Sequence, residues 1–392
     1  MTSVTLADRL RGIEGSPTLA LAAKAKALAK AGKTVADFTA GEPDFPTPDH
    51  IKRAGIAAIE ANHTRYTPVP GIPELRAAIA EGVNRQRHTT YQPSQALVTC
   101  GTKHALYNVF QALCQPGDEV ILLAPYWVSF PSLVQLAGAK PVIVETREDR
   151  HFVPDLAQIR AAVSDATKAI IVNSPSNPTG AVLTEECLAG IAQLAKERGL
   201  IVVSDEIYDQ LIYPPARHHS IVRVTPDIID QTIIVGGVSK TYSMTGWRIG
   251  FAIGPQPWID AMIIIQSHST SNPTSISQDA ALAALTGDQR PVGEMLKAFG
   301  QRRDRIVSGL NRLPGLSCTT PGGAFYAWCN VSRLDDQSSE TIAARWLEEA
   351  LVATVPGEGF GAPGFIRFSF AASLETIDEG LKRIGTWLSQ KR

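Results

Sequence analysis

Seven short runs of aliphatic and β-branched residues constrain this chain more than anything else in it. They read ALVTC (96–100), EVILLA (119–124), KPVIVET (140–146), KAIIVNS (168–174), LIVVSD (200–205), QTIIVGG (231–237) and WRIGFAIG (247–254). Most are apolar without alternation, which predicts strands buried on both faces. Amphipathic stretches at 102–114, 127–138, 155–163 and 184–198 fall between several of them and predict helices. Buried strands joined by helices form a mostly parallel sheet with helices on both faces. WRIGFAIG follows the preceding run too closely for a helical crossover, so it is expected to lie antiparallel.

The pattern changes near residue 290. A long charged stretch, GEMLKAFGQRRDRIVSGLNRL, leads into short strands in GAFYAWCNV, LVATVP and FIRFSF and two further helices. The first forty residues carry an Ala/Lys-rich helix and the strand TVADFT. At 392 residues the chain is too long for one typical core. The expected division is an N-terminal arm (1–42), a large α/β domain (43–290) and a small α+β domain (291–392) on which the arm packs.

A formal net charge of −1 offers no footprint for nucleic acid or an anionic membrane. The five cysteines (Cys100, Cys114, Cys187, Cys318, Cys329) lack CxxC spacing, so neither a disulfide scaffold nor a metal site is expected. No apolar run suits a signal peptide or a bilayer span, which predicts a soluble cytoplasmic protein. The run GFGAPG (359–364) fits GxGxxG, with Glu379 downstream as a dinucleotide site would want. A strand follows it instead of a helix and Pro363 interrupts the turn, so NAD is not expected there.

In a sheet of this kind ligands bind beyond the carboxyl ends of the strands. After ALVTC, Gly101 and Thr102 open a helix whose free N–H groups suit a phosphate, although a plain glycine turn with a threonine cap also fits. After KAIIVNS, the turn PSNPTG presents Asn177. LIVVSD ends in Asp205, with Tyr208 close behind. A buried acid needs a cationic partner, unless it caps a helix. After QTIIVGG come Lys240 and Arg248, which a solvated loop would also tolerate. Taken together, a phosphate cradle, an acid, a tyrosine, an asparagine and a lysine meet at one end of one sheet. That set suits pyridoxal 5′-phosphate. A lysine amine bonds its aldehyde, an acid keeps its ring nitrogen protonated, a tyrosine reaches its ring oxygen and an arginine fork grips its phosphate.

The segments SDEIY, PSNPTG, GVSKTYSMTGWRIG, AGEPDFPTP, YTPVPGIPELR and PYWVSFP resemble the class I aminotransferases of the pyridoxal-phosphate transferase fold type I. The resemblance runs from roughly residue 16 onward and is strongest to the bacterial branch of aspartate aminotransferases. It implies a homodimer with shared sites that moves the amino group of L-aspartate to 2-oxoglutarate in two half-reactions. It also implies roles for single residues. Lys240 would bind the cofactor and shuttle a proton at the substrate α carbon, a task for a lysine with a pKa well below about 10.4. Asp205 would pair with the ring nitrogen, Tyr208 and Asn177 with the ring oxygen, and Trp127 would stack on the ring. Gly101, Thr102 and Arg248 would hold the phosphate, with Tyr66 reaching that of the neighbouring subunit. Arg367 would clamp the substrate α-carboxylate, and Gly41 would let the substrate approach the backbone.

The better-known animal and enteric enzymes use an arginine near the position of Ser267 for the side-chain carboxylate, and QSHSTSNP has none. The bacterial branch uses the lysine of a GGK motif, which makes Lys103 of Gly101-Thr102-Lys103 the candidate here. Branch members that accept prephenate carry a lysine where this chain has Glu14, which argues against prephenate. Aromatic, methionine or alanine-type substrates, and a carbon–sulfur β-lyase reaction, stay open as alternatives.

Overall fold

The computed structural model describes residues 7–13, 15, 17–334 and 338–390. All seven runs form strands of one sheet, in the order Ala96–Thr99, Gly250–Ile253, Thr232–Gly237, Ile201–Asp205, Thr167–Asn173, Glu119–Ala124 and Lys140–Glu145. Gly250–Ile253 pairs antiparallel with both neighbours, and the remaining pairings are parallel.

The unbroken apolar runs have a direct cause. Successive side chains of a strand point to opposite faces, and here each face is covered. Val98, Ile170, Val202 and Ile234 pack with Leu75, Ile79, Ile191 and Ala280 of helices Pro73–Arg87, Glu185–Arg198 and Ser275–Thr286. Their neighbours Leu97, Ile171, Val203 and Ile233 pack with Leu106, Phe110 and Met262 of helices Thr102–Leu113 and Gln256–Ser267. Gly250 is needed where helix Thr102–Leu113 starts, because a Cβ there would lie 2.3 Å from the Thr102 amide nitrogen.

A second, antiparallel sheet has the order Val355–Pro356, Phe365–Ser369, Tyr326–Asn330, Ser317–Cys318. It shares an apolar cluster with helices Arg290–Leu310, Ser339–Glu349 and Leu374–Ser389, through residues such as Phe299, Trp346 and Ile377. LVATVP, expected as one strand, is two. Val352–Ala353 pairs in parallel with Ala36–Asp37, whereas Val355–Pro356 pairs with the Phe365–Ser369 strand. Pro356 has no N–H to donate and so sits at the edge of that sheet. The N-terminal segment is thereby tied to this second body of structure. GFGAPG enters the Phe365–Ser369 strand with no helix after it, so the dinucleotide pattern has no structural counterpart. Among the described residues no helix is long and apolar enough to cross a membrane, no cluster could hold a metal ion, and the five cysteines are free.

Candidate active site

The sheet register does the first part of the assembly. Asn173 lies opposite Asp205, and Asp205 opposite Val235, at the carboxyl edge. Gly250 pairs with both Thr99 and Gly237, so the antiparallel strand starts at that same edge and delivers Arg248 there. A cavity of about 460 Å³ opens above this edge, lined by Lys240, Asp205, Tyr208, Asn177, Trp127 and Arg367. Gly41, Thr102, Lys103 and Arg248 also line it. Arg367 comes from the second sheet, in register with Trp328, so the cavity lies between the two bodies of structure.

Three charged groups in this cavity make no ion pair among the described residues. Lys240 Nζ donates to the Gly41 carbonyl at 2.6 Å. Burial lowers its pKa to about 8; Arg367 and Arg248 push the same way, and Glu42 and Asp205 push back. Asp205 is 4% exposed and accepts from the Ile207 amide at 3.2 Å. Burial raises its pKa to about 7, Glu206 adds to that, and Lys240 opposes it. Arg367 is 2% exposed; it donates to Asn177 Oδ1 at 3.0 Å and to the Thr39 carbonyl at 3.1 Å, while its Nε has no partner. Among the described residues neither Asp205 nor Arg367 belongs to an ion pair. A buried charge in that state calls for a ligand of opposite sign.

The opposite end suits a phosphate. Helix Thr102–Leu113 begins without a side-chain cap, and the Thr102 hydroxyl is turned to the Gly236 carbonyl at 2.8 Å. Arg248 folds over Gly101, where a Cβ would lie 2.4 Å from its Nη2, and Gly101 has φ +84°. Arg248 donates to the Thr245 and Cys100 carbonyls at 2.8 and 3.3 Å. The residues present therefore fit pyridoxal 5′-phosphate. Arg248 and the free helix N-terminus match its phosphate, Asp205 its protonated ring nitrogen and Lys240 its aldehyde.

Behind Asp205 lies a second buried network with a structural role. Glu206 accepts from Arg87 at 2.7 Å, Ser204 at 2.9 Å and Ser220 at 2.6 Å, and pairs with His218 at 3.2 Å. Burial would raise its pKa, yet Arg87 first and then His218 and Ser220 hold it well below the usual range.

Tyr66 is not brought to this cavity. It is 90% exposed, on the surface of the same protomer. Glu14 lies outside the described residues. Lys103 stands with its Nζ 4.9 Å from the centre of the Trp127 ring. Ser239, Glu42, Asn173 and Tyr326 also line the cavity and were not picked out in the sequence. Ser239 had a readable signal, since it sits at the strand end beside Lys240. Tyr326 had none, because it arrives from a strand of the other sheet.

A sequence model of the family described as Aminotransferase class I and II matches residues 33–384. The aspartate aminotransferase of Geobacillus stearothermophilus is 46% identical over 390 residues, covering 98% of this chain and 99% of that protein. The aspartate/prephenate aminotransferase of Thermus thermophilus is 45% identical, covering 98% and 99%. Two solved structures agree closely in fold. The aspartate aminotransferase from Thermus thermophilus with maleate has a TM-score of 0.94 at 44% identity, covering 98% of this chain and 100% of that one. That from Rhizobium meliloti has a TM-score of 0.95 at 36% identity, covering 99% of each. By profile, by full-length identity and by fold, the chain belongs to the class I and II aminotransferases, the bacterial aspartate branch among them, and is an enzyme that works with pyridoxal 5′-phosphate.

Proposed function

We propose that this enzyme moves the amino group of L-aspartate to 2-oxoglutarate, giving oxaloacetate and L-glutamate. The observation that carries the reading is Arg367, a buried cation with no carboxylate partner that shares one cavity with Lys240 and Asp205. An α-carboxylate supplies the missing charge.

When bound, pyridoxal 5′-phosphate supplies an aldehyde and a ring that withdraws electrons from the substrate α carbon. Lys240 would hold it, and its burial-lowered pKa of about 8 would suit it to take a proton from the substrate α carbon near neutral pH. Asp205 keeps a proton on the ring nitrogen. Asn177 and Tyr208 hold the ring oxygen, and Asn177 also braces Arg367. Trp127 covers the ring face, while Gly101, Thr102 and Arg248 seat the phosphate. Gly41 anchors Lys240 through its carbonyl and leaves the substrate room. Lys103, beside Trp127, takes the second carboxylate and so selects dicarboxylic substrates; burial and then Arg248 lower its pKa.

The protein works as a homodimer in which the exposed Tyr66 reaches the phosphate of the other protomer. The arm 1–42, the body 43–290 and the domain 291–392 go with this reading, with the site on their seam.

The test is the visible spectrum of the cofactor-loaded protein with L-aspartate and no oxo acid. The expected result is loss of the bound cofactor's visible band at low aspartate concentration. A band that ignores aspartate and responds to a neutral or aromatic amino acid would overturn the substrate.

A further inference from the structure

Two phenols touch inside the cavity. The hydroxyls of Tyr208 and Tyr326 lie 2.9 Å apart, and both side chains are buried, at 3% and 0% exposure. Among the described residues neither hydroxyl makes another hydrogen bond. The Tyr326 ring faces Arg367, whose guanidinium carbon is 4.5 Å from the ring centre. The Tyr208 ring packs edge-on against Tyr326 and Phe325. Burial raises the pKa of both phenols; Tyr326 adds to that for Tyr208, and Arg367 opposes it for both, so each carries a single proton. The charged groups that act on the pair are Arg367, on both phenols, and Asp205, on Tyr208.

Resting on the reading of Tyr208 as the donor to the cofactor's ring oxygen, we propose that Tyr326 is a positioning residue that sets the direction of the Tyr208 proton and at the same time braces Arg367. The proton count leaves one arrangement. Tyr208 has one hydrogen, and it must point at the ring oxygen. Tyr326 must then donate to Tyr208. A hydroxyl that accepts a hydrogen bond becomes a stronger donor. Tyr326 thereby links the group that binds the substrate carboxylate to the group that holds the ring.

Tyr326→Phe removes this donation and keeps the aromatic face over Arg367. The readout is the pH midpoint of the bound cofactor's visible band in the holoenzyme. Donation by Tyr208 stabilises negative charge on the ring oxygen, so weakening it moves the midpoint up, by about half a pH unit. In a Tyr208→Phe background the same substitution should move it no further. KM for aspartate should stay within about twofold, because the ring remains, while kcat falls. An unmoved midpoint in Tyr326→Phe, or an equal shift in both backgrounds, overturns the proposal. If Tyr208→Phe itself leaves the midpoint unmoved, the proposal falls with it, and the fault lies in the reading of Tyr208. Should the Phe variant fail to fold, Tyr326→Leu carries the same midpoint prediction, with an added rise in KM from the loss of the ring beneath Arg367.

Discussion

Asp205→Asn separates stability from function in a way that can be worked out in advance. The side chain keeps its shape and its bond from the Ile207 amide at 3.2 Å, but it no longer ionises. In the cofactor-free protein the native carboxyl titrates near 7 against a reference of 3.8. A carboxyl raised in the folded state favours folding when protonated, and that advantage is lost as pH rises through the folded pKa. Relative to a neutral isostere this costs the apoprotein roughly 4 kcal/mol at pH 8, where Asp205 is ionised in the fold, and roughly 2 at pH 5, where folding must protonate it. The assay is urea unfolding of both apoproteins at equal protomer concentration, followed by tryptophan fluorescence. Asn should be the more stable, with its margin about halved between pH 8 and pH 5. With cofactor bound the order of merit reverses, since Asn cannot balance a protonated ring nitrogen. Affinity for the cofactor should drop, and kcat/KM should fall by roughly 10- to 150-fold, the worth of one charge-assisted bond. An Asn apoprotein no more stable than the native one at pH 8, or a margin that grows toward acid, would refute the view of Asp205 as an unpaired buried charge.

Three other outcomes follow from the same geometry. Lys103→Ala should lower kcat/KM for aspartate by roughly 10- to 150-fold while sparing alanine, as comparative steady-state kinetics would show; equal loss on both would remove Lys103 from specificity. Gly101→Ala forces a side chain into φ +84° and against Arg248, so apoprotein titrated with pyridoxal 5′-phosphate should bind it at least roughly tenfold more weakly. Glu206→Gln leaves Arg87 with Asp209 as its one carboxylate and should destabilise by roughly 3–5 kcal/mol at pH 7. Because the Glu206 pKa is depressed in the fold, its contribution is present above its unfolded value of 4.5 and fades as pH falls below it. The gap in urea midpoints between variant and native protein should therefore be large at pH 7 and only begin to narrow at pH 4; a gap that widens toward acid would contradict the pairing.

Much of the large sheet was legible because its signal is local. A strand covered on both faces must be apolar throughout, and IIV or VVS cannot easily be anything else. WRIGFAIG was readable as antiparallel from connection length alone. LVATVP was misread because pairing partners are a tertiary fact: nothing in six residues says that Val352 pairs with Ala36 and Val355 with Arg367. The site divides the same way. Asp205 is legible because it ends an apolar strand, and Asn177 and Lys240 because each follows one by only a few residues. Arg367 was placed only by its resemblance to a family, since FIRFSF reads as a plain strand. Tyr326 escaped because its role depends on a contact across 118 residues.

The charges explain why these groups tolerate one another. Lys240, Arg248 and Arg367 stand against Asp205, with Lys103 and Glu42 nearer the rim. Asp205 and Arg367, both buried, depart from ordinary protein practice, in which buried charges are paired. The Glu206 network shows that the same chain pairs buried charges fully when no ligand is wanted, a few ångströms along the same segment. The contrast therefore marks function. On the proposed reading, Asp205 and Arg367 are left open because the cofactor's ring nitrogen and the substrate's carboxylate would complete them.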